Sequence, residues 1–160
     1  MLTWNFVMQL ITCTLGCIGF GMMFKVHGMQ LFYSGVGAFF TWIFYCLVLD
    51  GTNSNFQATW VGSAFVAVFA EVMARVNRAP ATIFLTTSVF PVVPGKALYN
   101  MMYYLVMKDY ALSKESGWSL LMSCLGIALG FIAVEIPNKY LTMLNRKRKG
   151  LPLTDHMERY

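Results

Sequence analysis

The chain has 160 residues, of which 58% are hydrophobic, 16% aromatic and only 12% charged, against about a quarter charged in ordinary globular domains. Apolar runs of about 20 residues recur, each long enough to span a bilayer, so the composition excludes a lone soluble enzyme domain and indicates an integral membrane protein. The formal charge of +5 does not imply a nucleic-acid partner, because the surplus is concentrated at residues 139–149, just after the last apolar run, where cations mark a cytoplasmic flank or attract anionic headgroups.

Residues 4–24 form the first apolar segment. No positive region precedes it and no small-residue cleavage pattern follows it, so it is expected to be a retained helix. Gly16, Gly19 and Gly21 give its second half a surface that another helix can approach closely, or else loosen the helix near its end. Cys13 and Cys17 share a face at i and i+4 without a His or acidic partner, so packing is expected in preference to a metal site. Cys46 and Cys124 also lie in apolar runs, which argues against a disulfide framework. A very short connection follows, in which His27 reads as a wetted loop residue in preference to a titrating relay. It makes the first helix and the second apolar span, 29–49 with Tyr33, Trp42 and Tyr45, antiparallel neighbours.

Asp50-Gly51-Thr52-Asn53-Ser54-Asn55 reads as a polar turn, with Ser54 or Asn55 available to cap the third helix over 56–76. Gly62, Ser63, Ala64, Ala67, Ala70 and Ala74 suit that helix to tight packing. Glu71 and Arg75 stand at i and i+4 and can pair. Glu71 has two readings, a solute or proton group in a cavity or half of an interfacial ion pair; for Arg75 the structural reading is favoured.

Residues 78–99 read RAPATIFLTTSVFPVVPGKALY and cannot be one ordinary helix. Pro80, Pro91 and Pro94 lack donors, and Gly95 favours left-handed or extended backbone. Broken backbone at membrane depth survives only where protein or a wet cavity satisfies its polar groups, and many transporters present helix ends and bare carbonyls to solutes in this way. Residues 90–96 are therefore the leading candidate site, with a plain interhelical turn as the alternative. Residues 97–107 continue as an amphipathic aromatic helix, so the fourth crossing is drawn as two half-helices joined between Pro91 and Gly95. The sequence leaves open whether this segment crosses or is re-entrant. Lys96, just past the break, can meet an anionic solute group, pair with Glu71, or reach water.

Residues 108–116 read as a mixed-charge loop, and 117–134 as the fifth span, with Gly126 and Gly130 at GxxxG spacing. Glu135 and Pro137 are expected to close that helix. The expected fold is all-α: a polytopic membrane bundle of about five spans over residues 1–137, with a basic cytoplasmic tail over 138–160. Five crossings place Lys25, Arg75, Arg78 and the 139–149 block on one side, and Lys108 and Lys114 on the other. The N-terminus is then outside and the C-terminus cytoplasmic.

On Gly19-Phe20-Gly21, Phe24-Lys25-Val26, Glu71 to Arg75, Pro80, Phe84 and above all Pro91-Val92-Val93-Pro94-Gly95 followed by Tyr99, the chain resembles the threonine/serine exporter family in its small separate-subunit form. The resemblance implies an inner-membrane subunit for export of small amino acids or small carboxylates, working with a larger subunit of the same family. From the break itself, the candidate solute site is Pro91, Pro94, Gly95, Lys96 and Tyr99, with Glu71 and Arg75 as coupling or ion-pair candidates; proton coupling through Glu71 is motivated by topology and chemistry alone. Neither a cofactor nor a metal is expected, and no HExxH pair, acidic metal cluster or nucleophile motif suggests an enzyme. A non-transporting scaffold or accessory subunit is the alternative function, although a packing partner needs no Pro/Gly break with ionisable neighbours. A homo-oligomer is a second assembly left open.

Overall fold

The computed structural model describes residues 4–26 and 28–148. His27 and the tail from residue 149 onward, both assigned roles above, lie outside the described residues. Six α-helices run in chain order: α1 Trp4–Met23, α2 Met29–Thr52, α3 Asn55–Asn77, α4 Ala81–Ser88, α5 Gly95–Val106 and α6 Tyr110–Arg148. A 3₁₀ turn, Phe90–Val92, stands between α4 and α5, and there is no strand among the described residues. Helices α1, α2, α3 and α6 are each long and apolar enough to cross a membrane. The α4 half with its 3₁₀ turn and the α5 half meet the same test as a pair, bent by 52°. The expected all-α bundle with a broken fourth span is what forms.

Three boundaries differ from the sequence expectation, each for a local reason. Helix α2 runs through Asp50, Gly51 and Thr52 and is turned by Asn53, at φ 51° with its N–H bonded to Leu49 O at 2.9 Å, followed by Ser54 in the extended region. Ser54 then starts α3 without a side-chain cap bond, while Asn55 reaches across to Ser119 Oγ at 3.3 Å. Helix α6 begins at Tyr110, not 117, because Asp109 caps it by accepting from Leu112 N at 3.3 Å. Helix α6 also continues through Pro137 to Arg148, where the sequence suggested an end; a proline inside a membrane helix is tolerated when neighbouring helices support it. Here Arg75 of α3 donates to the side-chain oxygen of Asn138, the next residue.

Helix ends are turned by residues in the left-handed region, Lys25, Asn53, Arg78 and Lys108, with φ between 50° and 60°. Three of the four are cations, placed where the last carbonyls of α1, α3 and α5 carry partial negative charge.

The direction of α6 decides the path of the broken span. Asn55 bonds Ser119, Ser63 Oγ donates to Gly126 O at 3.4 Å, and Arg75 meets Asn138, so α3 and α6 run parallel. Two parallel helices require the chain to return across the bundle between them, and residues 78–109 therefore cross; they do not dip in and come back. One end of the bundle carries Asn53, Asn55 and Lys108, here the asparagine end. The other, the basic end, carries Lys25, Arg75, Arg78 and Lys139.

The core is built from small residues. Helix α3 buries Ala58, Thr59, Gly62, Ser63, Val66, Ala67 and Ala70, and α2 buries Ser34, Gly35, Gly37, Ala38 and Thr41. A Cβ on Gly126 would stand 2.8 Å from Phe56 O, and one on Gly130 would stand 2.6 Å from Trp60 O. The GxxxG pair is thus used inside the chain, letting α6 touch the backbone of α3. Leu121, Leu125, Leu129, Ile132 and Ile136 face outward from α6, as lipid-contacting side chains do.

Candidate functional site

The break is held in place from several sides. Phe90 stacks on Phe20 of α1, ring centres 4.1 Å apart. Pro91 is buried, and Val92 sits against Gly62 of α3, where a Cβ would come within 3.2 Å of its Cγ2. Ser88 Oγ donates to Ser34 O of α2 at 3.4 Å. Gly62 is the eighth residue of α3, so the break lies about 10 Å along that helix from the asparagine end.

Its backbone is nearly self-sufficient. Val92 N bonds Val89 O at 2.9 Å, and Val93 N bonds Phe90 O at 3.2 Å. Pro94, at φ −78° and ψ 56°, forms an inverse γ-turn that Gly95 N closes on Val93 O at 2.8 Å. Leu98 N to Pro94 O at 3.2 Å is the first full bond of α5. The amides of Lys96 and Ala97 are first-turn donors, which have no partner within a helix. Gly95 is helical, not left-handed. Its value is space: a Cβ there meets nothing within 4 Å.

Behind the break lies a cavity of about 880 Å³, whose lining includes Asp50, Asn55 and Ser116 near the asparagine end. Residues 91–97 and Asn100 form one wall. Trp42 and Tyr45 of α2, stacked at 5.4 Å, form another. Gln9 of α1, Asp50 of α2, Asn55 of α3 and Ser116, Ser119 and Ser123 of α6 supply polar groups. Asp50 and Lys96 bring opposite charges to the same cavity, and among the described residues neither has an ion-pair partner. Trp42 Nε1 is buried, with no hydrogen-bond partner among the described residues.

The structure therefore gathers Pro91, Pro94, Gly95 and Lys96 around one space. Tyr99 does not line it; it lies 68% exposed on the outer side of α5, stacked with Tyr103. Glu71 and Arg75 also lie elsewhere, near the basic end, with Arg75 Nη2 3.5 Å from Glu71 Oε2; Lys96 is not Glu71's partner. Sequence reasoning missed Gln9, Asp50, Asn100 and the three serines. Ser116, Ser119 and Ser123 recur at spacings of three and four, a helical face that is visible only once 110–117 is taken as helix.

A multi-pass bundle whose fourth span breaks beside a cavity of mixed polar and apolar lining is an arrangement that many membrane transport proteins use. The family model described as Threonine/Serine exporter, ThrE, matches residues 9–136, most of the chain. The chain belongs to the threonine/serine exporter family. Neither a curated protein nor a solved structure matches it.

Proposed function

We propose that this chain is one subunit of a secondary transporter that exports threonine, serine or related small carboxylates, driven by protons and completed by a larger subunit of the same family. The observation that carries this reading is the cavity at the break, whose volume lies in the range of small-molecule sites and whose lining comes from five helices. Pro91 and Pro94 keep the span broken, Gly95 leaves room for the solute, and Lys96 with the first-turn amides of α5 receives its carboxylate. Tyr99, turned away from the cavity, would join the site only after rotation of α5.

In this reading Glu71 loads and releases the coupling proton. Its distance from the cavity means that it would act on an inward-facing state, through its pair with Arg75 and the contact of Arg75 with Asn138. The cationic end is cytoplasmic under the positive-inside rule, with residues 138–160 as the cytoplasmic tail and the N-terminus outside. Support for a larger partner comes from α5, which has no buried residue and packs mainly on α6.

The test is efflux of labelled L-threonine from cells of the native host, with the chain deleted and then restored. Lys96→Gln is expected to lower efflux about tenfold or more at wild-type membrane levels, the loss of one charge-assisted contact. Wild-type efflux in cells lacking the chain would reject the reading.

A further inference from the structure

We propose that Asp50 is the residue that recognises the solute's ammonium group, so that the cavity reads a whole zwitterion and discriminates α-amino acids from simple carboxylates. The inference rests on the cavity being the solute site, as argued above, and deepens it.

Two observations converge. Asp50 and Lys96 line one cavity from opposite elements, the last turn of α2 and the first turn of α5. A helix C-terminus carries partial negative charge and an N-terminus partial positive charge, so each side chain has the same sign as the backbone end beside it. The cavity thus has a negative pole and a positive pole. Neither charge is neutralised, by the other or by any other described residue, although both face the same space. Both side chains are exposed and hydrated, so each is available to an ionic group of opposite sign that enters the cavity. A small hydroxy amino acid offers the complementary set: ammonium for Asp50, carboxylate for Lys96 and the α5 amides, and a side-chain hydroxyl for the α6 serines that line the same cavity.

The experiment measures equilibrium binding to native-host membranes carrying the full chain, with membranes lacking it as background. The probes are L-threonine, 2,3-dihydroxybutanoate, which lacks the amine, and threoninol, which lacks the carboxylate. Asp50→Asn is expected to weaken L-threonine and threoninol about tenfold or more and to leave dihydroxybutanoate unchanged or tighter. Lys96→Gln is expected to weaken L-threonine and dihydroxybutanoate and to spare threoninol. If Lys96→Gln behaves so while Asp50→Asn weakens no probe, or weakens all three equally, the inference about Asp50 fails and the cavity remains the site. If wild-type membranes bind no probe above background, or neither variant changes any probe, both readings fall together. Asp50→Glu separates charge from folding: it is expected to recover a large part of L-threonine binding lost in Asp50→Asn, and failure to recover any would overturn the recognition role.

Discussion

The glycines of this chain differ in what a side chain would meet, and substitution separates two extremes. Gly126 and Gly130 touch the backbone of α3, whereas a Cβ at Gly16 or Gly95 meets nothing within 4 Å. Gly130→Leu is expected to cost about 1–3 kcal/mol or more, because the added carbons must push two helices apart. Gly16→Leu should stay within about 0.5 kcal/mol. Thermal melts of the purified chain in one detergent check the pair, and equal shifts would contradict the packing described. Gly95 tests function without stability: Gly95→Ala should be mild, and Gly95→Val should reduce efflux severalfold by occupying the space beside the break, with the melting temperature unchanged. A melting temperature that falls with efflux would mean the valine acts through the fold. The cluster of prolines made the break legible from sequence, since missing donors are a property of the residue itself. Asp50 was not legible, because Gly51, Asn53 and Asn55 around it all favour turns, and only the backbone shows that the turn is confined to Asn53 and Ser54.

At the scale of elements, the apolar spans were readable because their lengths match a bilayer, but their ends were not. Each misjudged end is decided by one side chain or one contact: Asn53 in the left-handed region, Asp109 as a cap, Asn138 held by Arg75 beyond Pro137. At about 1.5 Å per residue the 39 residues of α6 extend about 58 Å, roughly twice a hydrocarbon core. Arg75→Ala removes the contact at Asn138 and the pair with Glu71 together. It is expected to raise amide exchange in α6 after Pro137 severalfold and to leave exchange around Gly126 unchanged; uniform exchange along α6 would show that Asn138 needs no anchor. Glu71→Gln should flatten the pH dependence of efflux while L-threonine binding persists. A pH profile identical to wild type would remove Glu71 from the coupling role.

For the molecule as a whole, the parallel pairing of α3 with α6 puts the first residues of α1 and the last of α6 at opposite ends. Cysteines introduced at Asn53 and Arg148 are expected to react with impermeant reagents from opposite faces of the membrane, Asn53 from outside. Labelling of both from one face would refute the five-crossing arrangement, and reversed accessibility would refute the orientation alone. Transport is expected to need the larger subunit, so the purified chain alone in liposomes should move no L-threonine; uptake by such liposomes would show that the chain suffices.

The most extensive helix interface joins α3 to α6, and its contacts are far apart in the chain, 63 residues between Ser63 and Gly126. At ordinary rates of synthesis α6 follows α3 by roughly 3 to 13 s. For that interval the groove formed by Thr59 and Ser63 has no helix to close it, and hydroxyls that later sit under α6 face lipid or the insertion machinery. Biogenesis therefore has a definite order, with the second half of the chain completing the first. A chain ending after Val106 should be inserted and then cleared by membrane proteolysis. Supplying residues 107–160 as a separate polypeptide in the same cell should rescue it, since the missing helix restores the groove's occupant without restoring the covalent link.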